Sequence, residues 1–259
     1  MFDQARSQDR AVLLPYLTAG IPSRESSVLM FAAMAEAGAD GFEVGIPYAD
    51  PLMDGPVIMR AGEQALAEGI TVDVALEIIA EVVEATGKPI LAMTYVNPVL
   101  RVGIDAFFDK AKAAGVSGVI LADLPVDEAE PFLVQARRTG IGMVLFAAPT
   151  TDESRLKEVA ANDPAFIYGI AEVGITGERV EASRNLQSLA VRVRAASDRP
   201  LVFGVGISTP EHAASAAAVG DGVIVGTAIV RRALEAETPE GAAEALSAAV
   251  ADLSEAMQR

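Results

Sequence analysis

Two acidic side chains lie where they could act together as an acid–base pair. Glu43 lies inside an apolar run, residues 40–46, and Asp54 follows in a loop that contains several proline and glycine residues. Because side chains alternate between the two faces of a β-strand, Glu43 points away from Phe42 and Val44 and into the protein interior. An apolar interior raises the pKa of a carboxyl group, so Glu43 is predicted to be a general acid. The alternative is a structural carboxylate that is tied to a neighbouring strand or to a Ser or Thr hydroxyl.

The loop after this run, IPYADPLMDGP, carries two aspartates. Asp-Pro and Asp-Gly pairs are common in turns, so Asp50 is interpreted as a residue that caps or braces the loop. Asp54 precedes Pro56, a residue type that is favoured at the first position of a helix. Asp54 is therefore either the N-cap of that helix or a catalytic carboxylate, and in the second role the polar loop keeps it ionised.

Three glycine-rich segments late in the chain indicate an anion site. Residues 174–177 read GITG, residues 204–208 read GVGIS, and residues 226–227 read GT at the start of a helical pattern. Glycine lets backbone N–H groups approach a ligand, and the N-terminus of a helix adds partial positive charge. None of the three segments contains Lys or Arg. Backbone amides are therefore predicted to hold a phosphate group.

Short apolar runs that alternate with amphipathic segments must position these residues. One helix is predicted to begin after Ser23 as its N-cap and to end on Gly38 as its C-cap. Eight apolar strands that alternate with helices predict a single-domain (β/α)8 TIM barrel over residues 1–259. The predicted strands are residues 11–18, 40–46, 89–95, 117–123, 141–147, 165–170, 200–205 and 221–226.

In such a barrel, ligands bind at the carboxyl ends of the strands. The intervals after the second and sixth strands are the longest, and the extra length is predicted to follow the strand at this rim. Tyr95 and Tyr168 lie near the rim, either as ligand contacts or as core residues with satisfied hydroxyls. Asp123 ends the fourth strand and is either a strand-end brace or a ligand contact.

Composition disfavours several other classes of protein. The 259 residues are 51% hydrophobic, which is typical of a chain with a large core. The chain contains no Cys and a single His, His212, so cysteine chemistry is excluded and no metal site is predicted. A net charge of −16 disfavours nucleic acids and anionic membranes as partners. The sequence has no apolar signal region and no membrane-spanning stretch, so a soluble, cytoplasmic protein is expected.

Seven blocks of the sequence resemble the tryptophan synthase alpha chain family. They occur in the order found in the family, between about residues 12 and 230, and the tract from Glu43 to Pro56 is the most diagnostic. The blocks are LLPYLTAGIP, GADGFEVGIPYADPLMDGPVI, TYVNPV, LADLPVDEA, GITG, FGVGIS and DGVIVGTAIV.

The resemblance implies a lyase that splits indole-3-glycerol phosphate into indole and glyceraldehyde 3-phosphate. This is a retro-aldol reaction that uses no cofactor and no metal. Glu43 matches the acid–base glutamate of the family, and Asp54 matches its catalytic aspartate. The predicted substrate contacts are Tyr16 and Met93 in the indole pocket, Tyr95 near the rim, and Tyr168, which matches the tyrosine near the catalytic glutamate of the family. Gly177, Gly204, Gly206, Gly226 and Thr227 are predicted to form the phosphate site.

The chain departs from common members of the family at five positions. Tyr16 stands where Phe is often found and Met93 where Leu is, so the fit of the indole is expected to differ while the chemistry is retained. Thr227 replaces a Ser and keeps the hydroxyl. Val205 replaces a Phe and Glu172 replaces a basic residue of some members, so local packing and closure of the sixth loop are expected to differ.

The family also implies a protein partner. Its members bind a beta chain that contains pyridoxal phosphate in an α2β2 heterotetramer, and indole passes between the two active sites through a tunnel. Residues 47–56 and the LPVDE segment, residues 124–128, are expected to lie in that interface.

Two other functions are compatible with part of the pattern. Another phosphate-binding barrel enzyme, such as an isomerase or a phosphoribosyl-anthranilate-type enzyme, would share the late glycines but would not need Glu43 together with the Asp54 loop. A catalytically idle barrel could act only as an allosteric binding subunit, but the presence of both carboxylates argues against it.

Overall fold

Eight strands form a closed barrel in which each strand pairs in parallel with the next one along the chain, and the eighth pairs with the first. This structure is a computed structural model that describes residues 1–170, 179–204 and 206–258, with side chains in the helix starting at Arg179 described from residue 185 onward. The predicted TIM-barrel fold is confirmed. The strands are β1 (Val12–Thr18), β2 (Phe42–Gly45), β3 (Ile90–Thr94), β4 (Gly118–Leu121), β5 (Gly142–Ala147), β6 (Phe166–Ile170), β7 (Leu201–Gly204) and β8 (Gly222–Val225).

Helices surround the barrel and connect its strands. None of the helices in the described part of the chain combines the length and the apolar character needed to cross a membrane. The helices are α1 (Phe2–Ser7), α2 (Arg24–Glu36), α3 (Pro56–Ala67), α4 (Val72–Thr86), α5 (Val96–Val102), α6 (Ile104–Ala113), α7 (Glu130–Thr139), α8 (Glu153–Ala161), α9 (Arg179–Ala196), α10 (Pro210–Ala217), α11 (Thr227–Glu235) and α12 (Pro239–Ala256), with a 3₁₀ helix (Val126–Glu128) before α7.

All eight predicted strands are present, and each is slightly shorter than the apolar run that predicted it. The run continues into buried loop residues, whereas ladder hydrogen bonds limit the strand, so hydropathy overestimates its length. The N-cap Ser23 is confirmed, since its hydroxyl accepts the N–H of Ser26. The predicted C-cap is wrong by one residue: Ala37 is the C-cap, and Gly38 follows it with a φ of 112°.

The long interval between β2 and β3 contains more than a rim loop. Residues 46–55 form the loop at the carboxyl end of β2, and the rest of the interval forms α3 and α4. The expectation of extra length at this rim is therefore right only in part. After β6, residues 171–178 lie outside the described residues, and the eighteen-residue α9 follows.

The strand register determines which side chains share a face of the barrel, because paired residues of neighbouring parallel strands point the same way. Tyr16 of β1 pairs with Glu43 of β2. On the other side of the barrel, Phe146 of β5 pairs with Tyr168 of β6. Within each pair, the two side chains therefore lie on the same face of the sheet. Glu43 and Tyr16 act electrostatically on Tyr168 across the barrel, so the face that these three side chains share is the interior.

An ion pair before β2 holds this strand against β1. Arg10 donates two hydrogen bonds of 2.7 Å to the carboxylate of Asp40, which also accepts the backbone N–H of Leu13 at 2.9 Å. Both charged side chains are largely buried, and a two-point contact of this kind has a defined geometry. The contact stabilises the register in which Glu43 lies beside Tyr16.

Candidate active site

Glu43 lies inside the barrel, where it is 4% exposed. Its Oε2 atom has no hydrogen-bond partner among the described residues. The alternative of a structural carboxylate tied to a neighbouring strand or hydroxyl is not supported at this oxygen. An unpaired buried oxygen is costly for an ionised carboxylate, and burial raises the pKa of Glu43 to about 8, with a further rise caused by the negative charge of Asp54.

Asp54 lies in the loop between β2 and α3, where its side chain is partly buried. The N-cap of α3 is Gly55, with Pro56 in the first turn, and the helix start has no side-chain cap. The interpretation of Asp54 as the N-cap is therefore wrong, because the chain turns into the helix one residue later. Asp50 is exposed, and its backbone carbonyl accepts the N–H of Leu52, as a loop-bracing residue would.

The two carboxyl groups hold different protonation states near neutral pH. Burial raises the pKa of Asp54 to about 6, and a hydrogen bond from Tyr95 opposes this rise. The surroundings of Asp54 are thus less polar than its loop sequence indicates. At pH 7 Asp54 is mostly ionised and Glu43 mostly protonated, which is the state required of an acid beside a base.

A pocket at the carboxyl ends of β1, β2 and β3 brings several predicted residues together. It is lined by Tyr16, Thr18, Met93, Tyr95 and Asp54, among others. The Tyr16 and Thr18 hydroxyls lie 3.3 Å apart and share a hydrogen bond. Tyr95 is buried with a satisfied hydroxyl, and it also lines the pocket, so both interpretations of this residue fit the structure.

Tyr168 reaches the same interior from the opposite side of the barrel. Its ring packs against Phe146 with centroids 5.2 Å apart, and its hydroxyl lies against Gly204 of β7. Burial raises the pKa of Tyr168, and the charges of Glu43 and Asp54 raise it further. Tyr168 therefore lies within electrostatic range of both carboxyl groups.

The predicted phosphate residues lie at the ends of two neighbouring strands. Gly204 is the last residue of β7, and Gly226 is the N-cap of α11, whose first residue is Thr227. Because β7 and β8 pair in parallel, their carboxyl ends lie side by side. Gly206 has a φ of 77°, a conformation that favours glycine, and both Gly206 and Thr227 are exposed to solvent.

Tyr16 connects the carboxyl groups to this glycine-rich rim. It pairs in register with Glu43, and its side chain packs beside Gly226. The acidic residues and the glycines of β7 and β8 therefore meet at one end of the barrel. The predicted contact Gly177 lies outside the described residues, as do Glu172 and Val205.

Several polar contacts at the end of β3 are absent from the sequence interpretation. The Asn97 amide donates to the Tyr48 hydroxyl at 3.0 Å, and the Thr94 hydroxyl donates to the carbonyl of Ile46 at 3.4 Å. The TYVNP motif was a usable signal, since Thr94 and Asn97 flank the carboxyl end of a strand. Asp123 accepts the N–H of Val96 at 2.8 Å and is thus a strand-end brace.

Ionisable groups outside this site are also candidates for binding a metal ion or a charged ligand. Across residues 1–170, 179–204 and 206–258, no group of three or more His, Cys, Asp or Glu side chains is placed to hold a metal ion. A wide cleft lies at the amino-terminal ends of β6 and β7, beside α1. Two arginines of this cleft form ion pairs with aspartates, Arg6 with Asp221 and Arg199 with Asp163. Neither guanidinium group is therefore free to bind an anionic ligand.

Fold and site together define a (β/α)8-barrel enzyme with its site at the carboxyl ends of the strands. The family profile described as tryptophan synthase alpha chain matches residues 2–258. The chain belongs to the tryptophan synthase alpha chain family. The alpha subunit of tryptophan synthase cleaves indole-3-glycerol phosphate in tryptophan biosynthesis, and it pairs with a beta chain.

Individual relatives are similar over nearly their whole length. A tryptophan synthase alpha chain from Rippkaea orientalis is 39% identical over 258 residues, which cover 99% of this chain and 96% of the relative. One from Salinispora tropica is 44% identical over 235 residues, covering 91% and 88%. Among solved structures, tryptophan synthase from Mycobacterium tuberculosis superposes with a TM-score of 0.89 at 37% identity, covering 100% of this chain and 96% of that one. The alpha subunit from Legionella pneumophila gives 0.90 at 32% identity, covering 99% and 96%.

Proposed function

We propose that Glu43 and Asp54 are the acid–base pair with which this chain cleaves indole-3-glycerol phosphate into indole and glyceraldehyde 3-phosphate. The observation that carries the proposal is a buried Glu43, whose Oε2 atom has no hydrogen-bond partner among the described residues, together with a partly buried Asp54 whose charge acts on it. The two groups have pKa values of about 8 and about 6, on opposite sides of neutral pH. One acid and one base are thus available together.

The proposed reaction begins with proton transfers at the indole ring. Protonated Glu43 gives its proton to carbon C3, and ionised Asp54 accepts or stabilises the proton of nitrogen N1. Glu43, now ionised, takes the proton of the hydroxyl group next to C3. The carbon–carbon bond then breaks, its electron pair returns to the indole ring, and the hydroxyl carbon becomes the aldehyde of glyceraldehyde 3-phosphate. If Asp54 has accepted the proton of N1, it returns that proton, and otherwise N1 has kept it, so atoms and charges balance in either case.

The phosphate group is proposed to bind at the ends of β7 and β8. Backbone N–H groups of Gly204, Gly206 and Gly226 and the hydroxyl of Thr227 would hold it, with Gly177 as a further contact. The N-terminus of α11 adds partial positive charge to these donors. Binding energy from this remote group would orient the reacting carbon between the carboxyl groups.

The indole ring is proposed to occupy the pocket between β1 and β3 and the interior beside β6. Tyr16, Met93, Tyr95 and Tyr168 would contact it there. These side chains come from three different parts of the barrel wall. The Tyr16 hydroxyl occupies part of the pocket that a Phe at position 16 would leave open. This supports the expectation that the indole ring fits differently here than in members with Phe.

Residues 1–259 would work as one domain without a bound cofactor, and the pyridoxal phosphate would belong to the beta chain. The proposed steps use only carboxyl groups, backbone amides and a hydroxyl of this chain. We also place the protein in the cytoplasm, because a charged phosphate ester does not cross a membrane unaided.

The proposal is tested with Glu43→Gln and Asp54→Asn. Each variant should lower turnover by at least about a hundredfold, since a positioned acid or base contributes about that much. Formation of glyceraldehyde 3-phosphate is followed in a coupled dehydrogenase assay, and release of indole is measured beside it. Glycerol phosphate binding and circular dichroism should be unchanged.

Asp50→Asn is the matched control, because it removes an exposed carboxylate from the same loop. It should keep turnover within about twofold, as surface substitutions usually do. Near-normal turnover in Glu43→Gln or Asp54→Asn would remove that residue from the mechanism. Phosphate binding without indole release, even beside a beta chain, would favour the idle binding subunit, and conversion of another phosphate ester would favour the other barrel enzyme.

A further inference from the structure

The loop that carries Asp54 contacts the barrel wall through the hydroxyl of Tyr95. This hydroxyl accepts the backbone N–H of Met53 at 3.2 Å, and Met53 directly precedes Asp54. A phenol that accepts a hydrogen bond keeps its own proton to donate. The interaction of this hydroxyl with the Asp54 carboxylate opposes the rise in the pKa of Asp54. One hydroxyl therefore holds the backbone of the loop by a hydrogen bond and also acts on the charge of its carboxylate.

Tyr95 is itself held firmly. Its side chain is 2% exposed, and its ring packs against Tyr48 with centroids 5.4 Å apart. The next residue, Val96, donates its N–H to Asp123 at 2.8 Å, which ties the start of α5 to the end of β4. The hydroxyl of Tyr95 is thus a contact point on a rigid part of the barrel.

The tip of the loop is open to solvent. Leu52 is 81% exposed and Met53 is 62% exposed, so neither side chain anchors the loop to the barrel. The N–H of Asp54 donates to the carbonyl of Pro51 at 3.0 Å, but this bond lies within the loop and moves with it. The Tyr95 contact therefore supplies a restraint that this turn does not.

We propose that Tyr95 is a positioning residue whose hydroxyl holds Asp54 at a fixed place relative to Glu43 and the substrate. The inference rests on the proposed function, because it matters only if Asp54 takes part in catalysis. Misplacement of a reacting group by about 1 Å can cost about a hundredfold in rate. A loop held at the residue before the carboxylate limits such misplacement.

Tyr95→Phe tests the inference because it removes the hydroxyl and keeps the ring. We expect kcat to fall by about tenfold to a hundredfold, the range for losing a hydrogen bond to a charged group, while KM stays within about threefold. The low-pH limb of the kcat/KM profile should move to higher pH, because the interaction with Tyr95 that lowers the pKa of Asp54 is lost. Glyceraldehyde 3-phosphate formation is measured with the beta chain in excess.

Tyr48→Phe is the matched control. It removes a hydroxyl from the Asp54 loop itself, but the Tyr48 hydroxyl accepts from Asn97 and is not one of the groups that shift the pKa of Asp54. Because Tyr48 also lines the pocket, the control is read on the pH profile: it should leave the low-pH limb in place and lower kcat less than Tyr95→Phe does. Hydrogen exchange of residues 48–56 gives a readout independent of activity, and it should be faster in Tyr95→Phe than in Tyr48→Phe.

Two results would overturn the inference. One is a Tyr95→Phe enzyme with unchanged kcat, low-pH limb and loop exchange. The other is an equal loss in Tyr95→Phe and Tyr48→Phe, which would assign the effect to general packing of the loop. If Asp54→Asn is itself active, the proposed function fails instead. An inactive Asp54→Asn beside a normal Tyr95→Phe rejects only the positioning role.

Discussion

At the scale of single residues, two carboxyl groups in the same site have different surroundings and therefore different pKa values. Glu43 is almost entirely enclosed by the barrel, whereas Asp54 is only partly buried and interacts with the hydroxyl of Tyr95. Desolvation disfavours the charged form of both, but this hydroxyl favours the charged form of Asp54. The difference in burial and in hydrogen bonding therefore separates the acid from the base.

We expect a bell-shaped dependence of kcat/KM on pH, because kcat/KM reports the acid and base of the free enzyme. Activity should rise through about pH 6 as Asp54 ionises and fall through about pH 8 as Glu43 loses its proton. The residual activity of Asp54→Asn should not show the rise through about pH 6, because the group that ionises there is gone. Its upper limb should move to lower pH, because the negative charge that raises the pKa of Glu43 is gone. Rates measured between about pH 5 and about pH 9 check this, and a flat profile over that range would contradict the assignment of the two groups.

At the scale of strands and helices, contacts between neighbouring elements shape the pocket. Gly45 at the end of β2 lies against the hydroxyl end of Tyr16 in β1, and a Cβ at Gly45 would overlap the Tyr16 ring. Tyr at position 16, which is larger than the Phe often found there in the family, therefore requires glycine at position 45. Gly62 of α3 is a useful contrast, since a Cβ there would meet only the carbonyl of Tyr48, at 4.0 Å.

Gly45→Ala should lower the free energy of unfolding by about 1–3 kcal/mol, the usual cost of overpacking a core. It should also lower kcat, because Tyr16 must move toward the substrate space. Gly62→Ala should raise the free energy of unfolding by about 0.5–1 kcal/mol, since alanine is favoured over glycine inside a helix. Urea denaturation of both variants checks the signs. A Gly45→Ala protein as stable as Gly62→Ala would show that the two strands do not constrain each other here.

At the scale of the whole molecule, the rim that carries the site also carries exposed apolar side chains. Leu52, Met53 and Met59 are 81%, 62% and 38% exposed, beside the Asp54 loop. Leu52 is more exposed than any other large apolar side chain in the described part of the chain. Because tryptophan synthase alpha chains pair with a beta chain, this rim is a suitable contact surface, and a partner bound there would cover the loop that carries Asp54.

Mixing with a tryptophan synthase beta chain should give a larger species in gel filtration and faster cleavage. Leu52→Ser should weaken the association by about tenfold in Kd, since losing the burial of a leucine costs about 1.5 kcal/mol. Val191→Ser is the control, because Val191 is 64% exposed on α9, away from this loop. Absence of association and of any change in rate would indicate a lyase that acts alone. Equal weakening by both substitutions would place the contact elsewhere.

The sequence by itself determined the eight-stranded barrel and the inward direction of Glu43. Both follow from local patterns, because apolar runs mark buried strands and alternation assigns faces within a strand. The glycines at the ends of β7 and β8 were predictable for the same reason, since the strand order alone brings them to one rim. The family resemblance added the substrate and the roles of Glu43 and Asp54, which no local pattern specifies.

Only the tertiary structure decided how the two carboxyl groups differ and what holds Asp54. Sequence left Asp54 as either a helix cap or a catalyst, and the helix start at Pro56 after Gly55 excluded the cap. The hydrogen bond from Met53 to Tyr95 joins residues far apart in the chain, as does the close packing of Tyr16 on Gly45. Burial, pKa and such contacts depend on the distances between elements after packing. Local sequence patterns carry no information about those distances.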